Sequence, residues 1–181
     1  LHVTQERLQQ VLDKFGLTLT QPLAVFCPGA EYGPAKRWPY PYFAELAQTL
    51  TSRGYAVWIV GGPKDQETGE KIVALGNPTC RNLCGVTDLS EAIALLSCAA
   101  LVVSNDSGLM HIAAALDRPM LALYGSSSPG FTPPLSPNAH IIKLDIPCSP
   151  CYKRECPLGH FNCMKQLTPQ LVTQHIPTLP A

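Results

Sequence analysis

Four short apolar runs limit what this chain can fold into more than any other feature: "LAVFC" (Leu23–Cys27), "YAVWIV" (55–60), "LVVS" (101–104) and "MLALY" (Met120–Tyr124). None alternates apolar with polar residues. Each therefore predicts a strand covered on both faces, as in a parallel sheet with helices on either side. Segments of helical period lie between the runs. "PYFAELAQTLTSRG" sets Phe43, Leu46, Ala47 and Leu50 on one face and stops at Gly54, and "DLSEAIALLSCA" repeats the period behind a capping Asp88. "DQETGEKIVALG" predicts a third helix, weakened by Gly69. "HIIKL" (140–144) adds an edge strand, and "TPQLVTQHI" a closing helix with Pro169 in its first turn. Strand alternating with helix predicts an α/β fold, a doubly wound, Rossmann-like parallel sheet.

The 181 residues suit one domain or a large half of a two-domain protein. The opening "LHVTQERLQQVLDKFG" reads as a lead-in helix, and its start at Leu1 suggests a fragment. With 13 Lys and Arg against 13 Asp and Glu, there is no basic surface of the kind phosphate backbones require, so nucleic acid is not expected as a partner. No apolar run is long enough for a transmembrane segment and no signal peptide opens the chain, which predicts a soluble domain. Of eight Cys, the isolated Cys27, Cys80, Cys84 and Cys98 sit in or near apolar segments and read as small core residues, reduced in a cytosolic compartment.

In open parallel sheets, ligands bind beyond the carboxyl ends of the strands. The loops there are "PGAEYGPAKRWP", "GGPKD", "NDSGLMH" and "GSSSPGFTPP", rich in the Gly, Ser, Asp and Lys that let a backbone approach a diphosphate and supply donors to it. With Asp106 or Ser107 as N-cap, the amides of Gly108, Leu109 and Met110 are unpaired donors, and Gly108 has no side chain to block an anion. His111, one turn in, adds a possible donor, while Ile112, Ala113 and Ala115 are expected to face the sheet. The same residues also suit a plain helix cap. The first loop, long for its place and carrying Lys36 and Arg37, brings a cation toward the same helix end, or else a solvated pair anchored by Trp38. Neither a dinucleotide fingerprint, nor a P-loop, nor a nucleophile elbow occurs.

"PCSPCYKRECPLGHFNC" spaces Cys148, Cys151, Cys156 and Cys163 as C-x2-C-x4-C-x6-C around His160. The array suits a structural zinc, reduced thiols tying down a loop, or a disulfide pair. A metal or redox module built on this loop is the non-enzymatic alternative.

In order and spacing, "FCPGAEYGPAKRWP", "VGGPKD", "NDSGLMHIAAAL" and "LYGSSSPGFTPPLSP" resemble the ADP-heptose:lipopolysaccharide heptosyltransferases. The resemblance implies the C-terminal half of a glycosyltransferase B-type fold. Residues 1–22 would then be a lead-in from an N-terminal domain, and residues 23–181 a nucleotide-sugar-binding domain with a Cys-rich loop at 147–163. It implies inverting transfer of L-glycero-D-manno-heptose from ADP-heptose to the lipopolysaccharide inner core, with no cofactor required. By the same resemblance, Lys36 would hold the diphosphate and Asp106 the heptose hydroxyls. Ser107, Gly108, Leu109 and His111 would present donors to the phosphates, with Gly29 beside them and Asp65 near the ribose or adenine. The acceptor and the general base would belong to the N-terminal domain, so this chain alone would bind donor without turning it over. The enzyme would be cytoplasmic, peripheral at the inner face of the inner membrane. A transferase of the same family with another sugar donor is the alternative within this reading.

Overall fold

A computed structural model of the chain describes residues 1–178, so the last three residues of the expected 23–181 domain lie outside the described residues. Six strands form one sheet: β1 (Leu23–Cys27), β2 (Ala56–Ile59), β3 (Arg81–Asn82), β4 (Leu101–Asn105), β5 (Met120–Tyr124) and β6 (Ala139–Lys143). Their spatial order is β3-β2-β1-β4-β5-β6, every pair parallel. The four apolar runs are its four inner strands. β1, β4 and β5 are buried at every residue. The edge strand β6 buries only Ile142, as its mixed sequence requires.

Seven helices flank the sheet among the described residues: α1 (Gln5–Phe15), α2 (Tyr40–Ser52), α3 (Gln66–Leu75), α4 (Leu89–Ser97), α5 (Gly108–Ala115), α6 (Asn162–Lys165) and α7 (Pro169–Thr173). Successive strand residues point to opposite faces, so each strand feeds two cores. Val25, Val102 and Ala122 meet Val11 and Leu12 of α1, Leu95 of α4 and Met110 of α5 on one face. Phe26, Val103 and Leu123 meet Phe43 and Leu46 of α2, Ile72 of α3 and Val172 of α7 on the other. The sheet is therefore doubly wound, as expected.

Local chemistry explains the boundaries. The Asp88 side chain accepts from Glu91 N while the Glu91 carboxylate accepts from Asp88 N, a reciprocal cap that starts α4. A methyl added at Gly69 would stand 2.1 Å from Asn82 Oδ1, so this glycine lets α3 close onto β3. The residues of α5 that turn inward are Met110, Ala113 and Ala114, the i, i+3, i+4 stripe, whereas Ala115 is exposed, contrary to expectation. No helix among the described residues is long and apolar enough to cross a membrane.

Candidate functional site

The strand order reverses direction between β1 and β4, so the loops leaving these two strands diverge around a crevice, the place where ligands settle on such sheets. The loop after β1 carries Lys36 at the end of a short 3-10 turn, Pro34–Lys36. The loop after β4 is only Asp106 and Ser107, and α5 begins at Gly108. Here the two meet. Lys36 Nζ lies 2.6 Å from Asp106 Oδ2, with the Lys36 side chain 16% exposed and that of Asp106 3%.

A carboxylate this buried needs donors. Ser127 Oγ donates to Asp106 Oδ2 at 2.5 Å and Thr132 Oγ1 at 3.2 Å, both from the loop after β5. All three donors land on Oδ2. Among the described residues no group bonds Oδ1, and that atom is not fully enclosed. Asp106 is therefore not the helix cap that its position suggests. Ser107 holds the cap position in extended conformation with no side-chain cap bond. A methyl built at Gly108 would meet nothing within 4 Å, so the amide end of α5 is open. His111 is exposed one turn on.

Asp65 points elsewhere than into open solvent. Its Oδ2 accepts from Gly62 N at 3.0 Å and lies 2.3 Å from where a Gly29 methyl would stand, so the carboxylate packs closely against Gly29, where no side chain would fit. Lys64 pairs with Glu31 at 2.5 Å, with both side chains largely exposed, and such a pair adds little stability. Arg37 Nη2 folds back onto the Ala30 carbonyl at 3.3 Å. Trp38 is an anchor: it is buried, its indole donates to the Leu167 carbonyl at 2.6 Å, and its ring meets Phe43 edge-on at 4.9 Å.

A cavity of about 200 Å³ opens beside the ion pair, lined by Tyr32, Lys36, Ser127, Ser128, Phe131, Thr132 and Tyr152. Phe131 and Tyr152 meet edge-on at 5.5 Å, and Lys36 Nζ stands 5.1 Å from the Tyr32 ring centre. Sequence reasoning missed Tyr32, Ser127, Thr132 and Tyr152 as wall residues. The signal for Ser127 and Thr132 was their place in the loop after the fifth strand; Tyr152, in the Cys-rich segment, had none.

The four late cysteines do come to one place. Cys148, Cys151, Cys156 and Cys163 line a cavity of about 270 Å³ with His160 and Ser126, whose buried hydroxyl has no partner among the described residues. All are free thiols. Among the described residues no three His, Cys, Asp or Glu side chains stand in an arrangement that holds a metal ion. The Phe161 N–H donates to Cys156 Sγ at 3.3 Å, and the backbone amides around it draw that thiol below its ordinary pKa. Burial pushes Cys163 up, and the three neighbouring thiols add to the effect. On the other side of the site, burial raises Cys84 to about 12, as befits a core residue.

The model of glycosyltransferase family 9, the heptosyltransferases, matches residues 1–162. The chain belongs to this family. Lipopolysaccharide heptosyltransferase 2 of Salmonella typhimurium is 45% identical over 99% of this chain and 53% of its own length. The solved E. coli ADP-heptose lps heptosyltransferase II superposes with a TM-score of 0.86 at 44% identity, over 96% of this chain and 51% of that one. A second family structure, E. coli heptosyltransferase WaaC with ADP-2-deoxy-2-fluoro heptose, gives 0.67 at 27% identity over 92% and 46%. This chain thus spans about half the length of the family members it matches.

Proposed function

We propose that this chain is the donor-binding half of a heptosyltransferase, holding ADP-heptose for inverting transfer to the inner core of lipopolysaccharide. One observation carries the reading: at the switch point of the sheet, a lysine from the first crossover meets the buried aspartate just ahead of an open, uncapped helix N-terminus. The relative that contains an ADP-heptose analogue supports the choice of donor.

The geometry gives each group a task. An ammonium has three N–H groups, and Asp106 takes one, leaving two for diphosphate oxygens. Asp106 Oδ1 is free to accept from heptose hydroxyls. The amides of Gly108 and Leu109, with Ser107 and His111, would share the phosphate charge at the helix end. When the acceptor hydroxyl attacks the anomeric carbon, the bond to the diphosphate breaks and ADP leaves with the electron pair. Charge then grows on oxygens that Lys36 neutralises. One such donor contributes roughly 3 kcal/mol in other enzymes, a hundredfold or more in rate. As the family resemblance implies, the acceptor's proton would go to a base in the other half of the enzyme, and this chain alone would bind donor without transferring it. The acceptor would sit on the other half of the enzyme, at the cytoplasmic face of the membrane.

Calorimetric titration with ADP, ADP-heptose and UDP tests the reading. The adenine ligands should bind and UDP should bind at least tenfold more weakly, and Lys36→Ala should weaken ADP by about tenfold or more. Preference for UDP would overturn the donor assignment.

A further inference from the structure

Asn105, the last residue of β4, is fully buried, and its side chain reaches across to the loop of β1. Its Nδ2 donates to the Pro28 carbonyl at 2.7 Å, and its Oδ1 accepts from the Trp38 N–H at 3.1 Å. Pro28 is the first residue after β1, and Trp38 follows the turn that carries Lys36. One amide therefore closes both ends of the lysine's loop. A side-chain amide donates through its nitrogen and accepts through its oxygen, which is what these two backbone groups require of one short side chain. The next residue along the strand, Asp106, is the group that Lys36 grips.

We infer that Asn105 is a positioning residue for the donor site: by fixing the first and last backbone groups of the Pro28–Trp38 loop, it sets where the Lys36 ammonium meets the diphosphate. The inference rests on Lys36 being the diphosphate contact. Without the clamp, the loop keeps the Trp38 indole bond, the Ala35 N–H bond to the Arg154 carbonyl at 3.0 Å, the two bonds between Tyr32 and the 152–154 segment and the Lys36–Asp106 pair, but the Pro28 carbonyl and the Trp38 N–H lose their shared partner on β4. The backbone that carries Lys36 would then be less closely fixed before the ligand arrives, and affinity falls by the cost of fixing it.

A ligand comparison separates positioning from plain folding. Asn105→Ala and Asn105→Ser should weaken ADP about tenfold while changing adenosine, which carries no phosphate, by less than about twofold. In a Lys36→Ala background the Asn105 substitutions should change ADP affinity by less than about twofold, because the residue they act through is gone. Equal losses for ADP and adenosine, or losses that multiply with Lys36→Ala, would reduce Asn105 to a structural residue and overturn the inference while leaving the donor site standing. An unchanged ADP affinity in Lys36→Ala alone would instead remove the donor-site reading, and this inference with it. Should neither Asn105 variant fold, amide exchange on the unaltered chain decides: the Trp38 N–H should exchange as slowly as the core strands, and exchange at the rate of exposed loop amides refutes the clamp.

Discussion

Lys36→Ala and Asp106→Asn, singly and together, should destabilise the fold unequally, and the inequality can be worked from exposure. An exposed ion pair is worth about 0.2–1 kcal/mol, whereas removing one partner of a buried pair costs about 3–5 kcal/mol because a charge is left stranded. The two ends of this pair differ. Lys36 keeps 16% exposure and sits on a long stem, so without Asp106 its ammonium can swing into water. Asp106, at 3%, cannot follow, and without Lys36 it retains only the Ser127 and Thr132 hydroxyls. Lys36→Ala should therefore cost about 2–4 kcal/mol and Asp106→Asn about 1–2 kcal/mol, with a coupling of about 1–2 kcal/mol in the double variant. Urea unfolding at neutral pH, with a common slope across the four proteins, measures all three quantities. Additivity within about 0.5 kcal/mol, or a larger loss from Asp106→Asn, would refute the view that the aspartate is the stranded partner.

Two more outcomes follow from titrating groups. Backbone N–H groups hold Cys156 below the ordinary thiol pKa while burial lifts Cys84 to about 12, so iodoacetamide near neutral pH should label Cys156 before Cys84, and its labelling should rise at lower pH than that of Cys84; mass mapping of the adducts checks this, and labelling of Cys84 before Cys156 would contradict it. The Glu91 carboxyl is held below its ordinary pKa by the Lys14 ammonium and the Asp88 N–H, so its contribution is present above the unfolded carboxylate's pKa and is lost as pH falls through the lowered folded value; Glu91→Ala should lower Tm by a few degrees at pH 7, mostly through the lost cap, and the gap to the unaltered protein should narrow in acid, whereas a gap that widened would show the sign to be wrong.

What could be read from the sequence, and what could not, divides along the range of the interactions. β1 and β5 were legible to the residue because an unbroken apolar run between turn residues has no other use in an α/β chain. β3 was not: Arg81 and Asn82 carry no apolar signal, and they pair with β2 only because α3 delivers the chain to that edge. The site shows the same division. Lys36, Asp106 and Gly108 stood out by residue type, yet nothing local says that β1 lies beside β4, and that adjacency alone turns three scattered residues into one crevice. Asp106, one of the two candidate caps of α5, shows the same limit. Next to Ser-Gly at a helix start it looks like a cap, but a cap bonds its own helix, and the groups that hold this carboxylate come from positions 36, 127 and 132. A sheet that assembles a buried carboxylate from three separate loops has fixed the position of its lysine before any ligand arrives, and that prior ordering is what a site for a flexible, doubly charged diphosphate most needs.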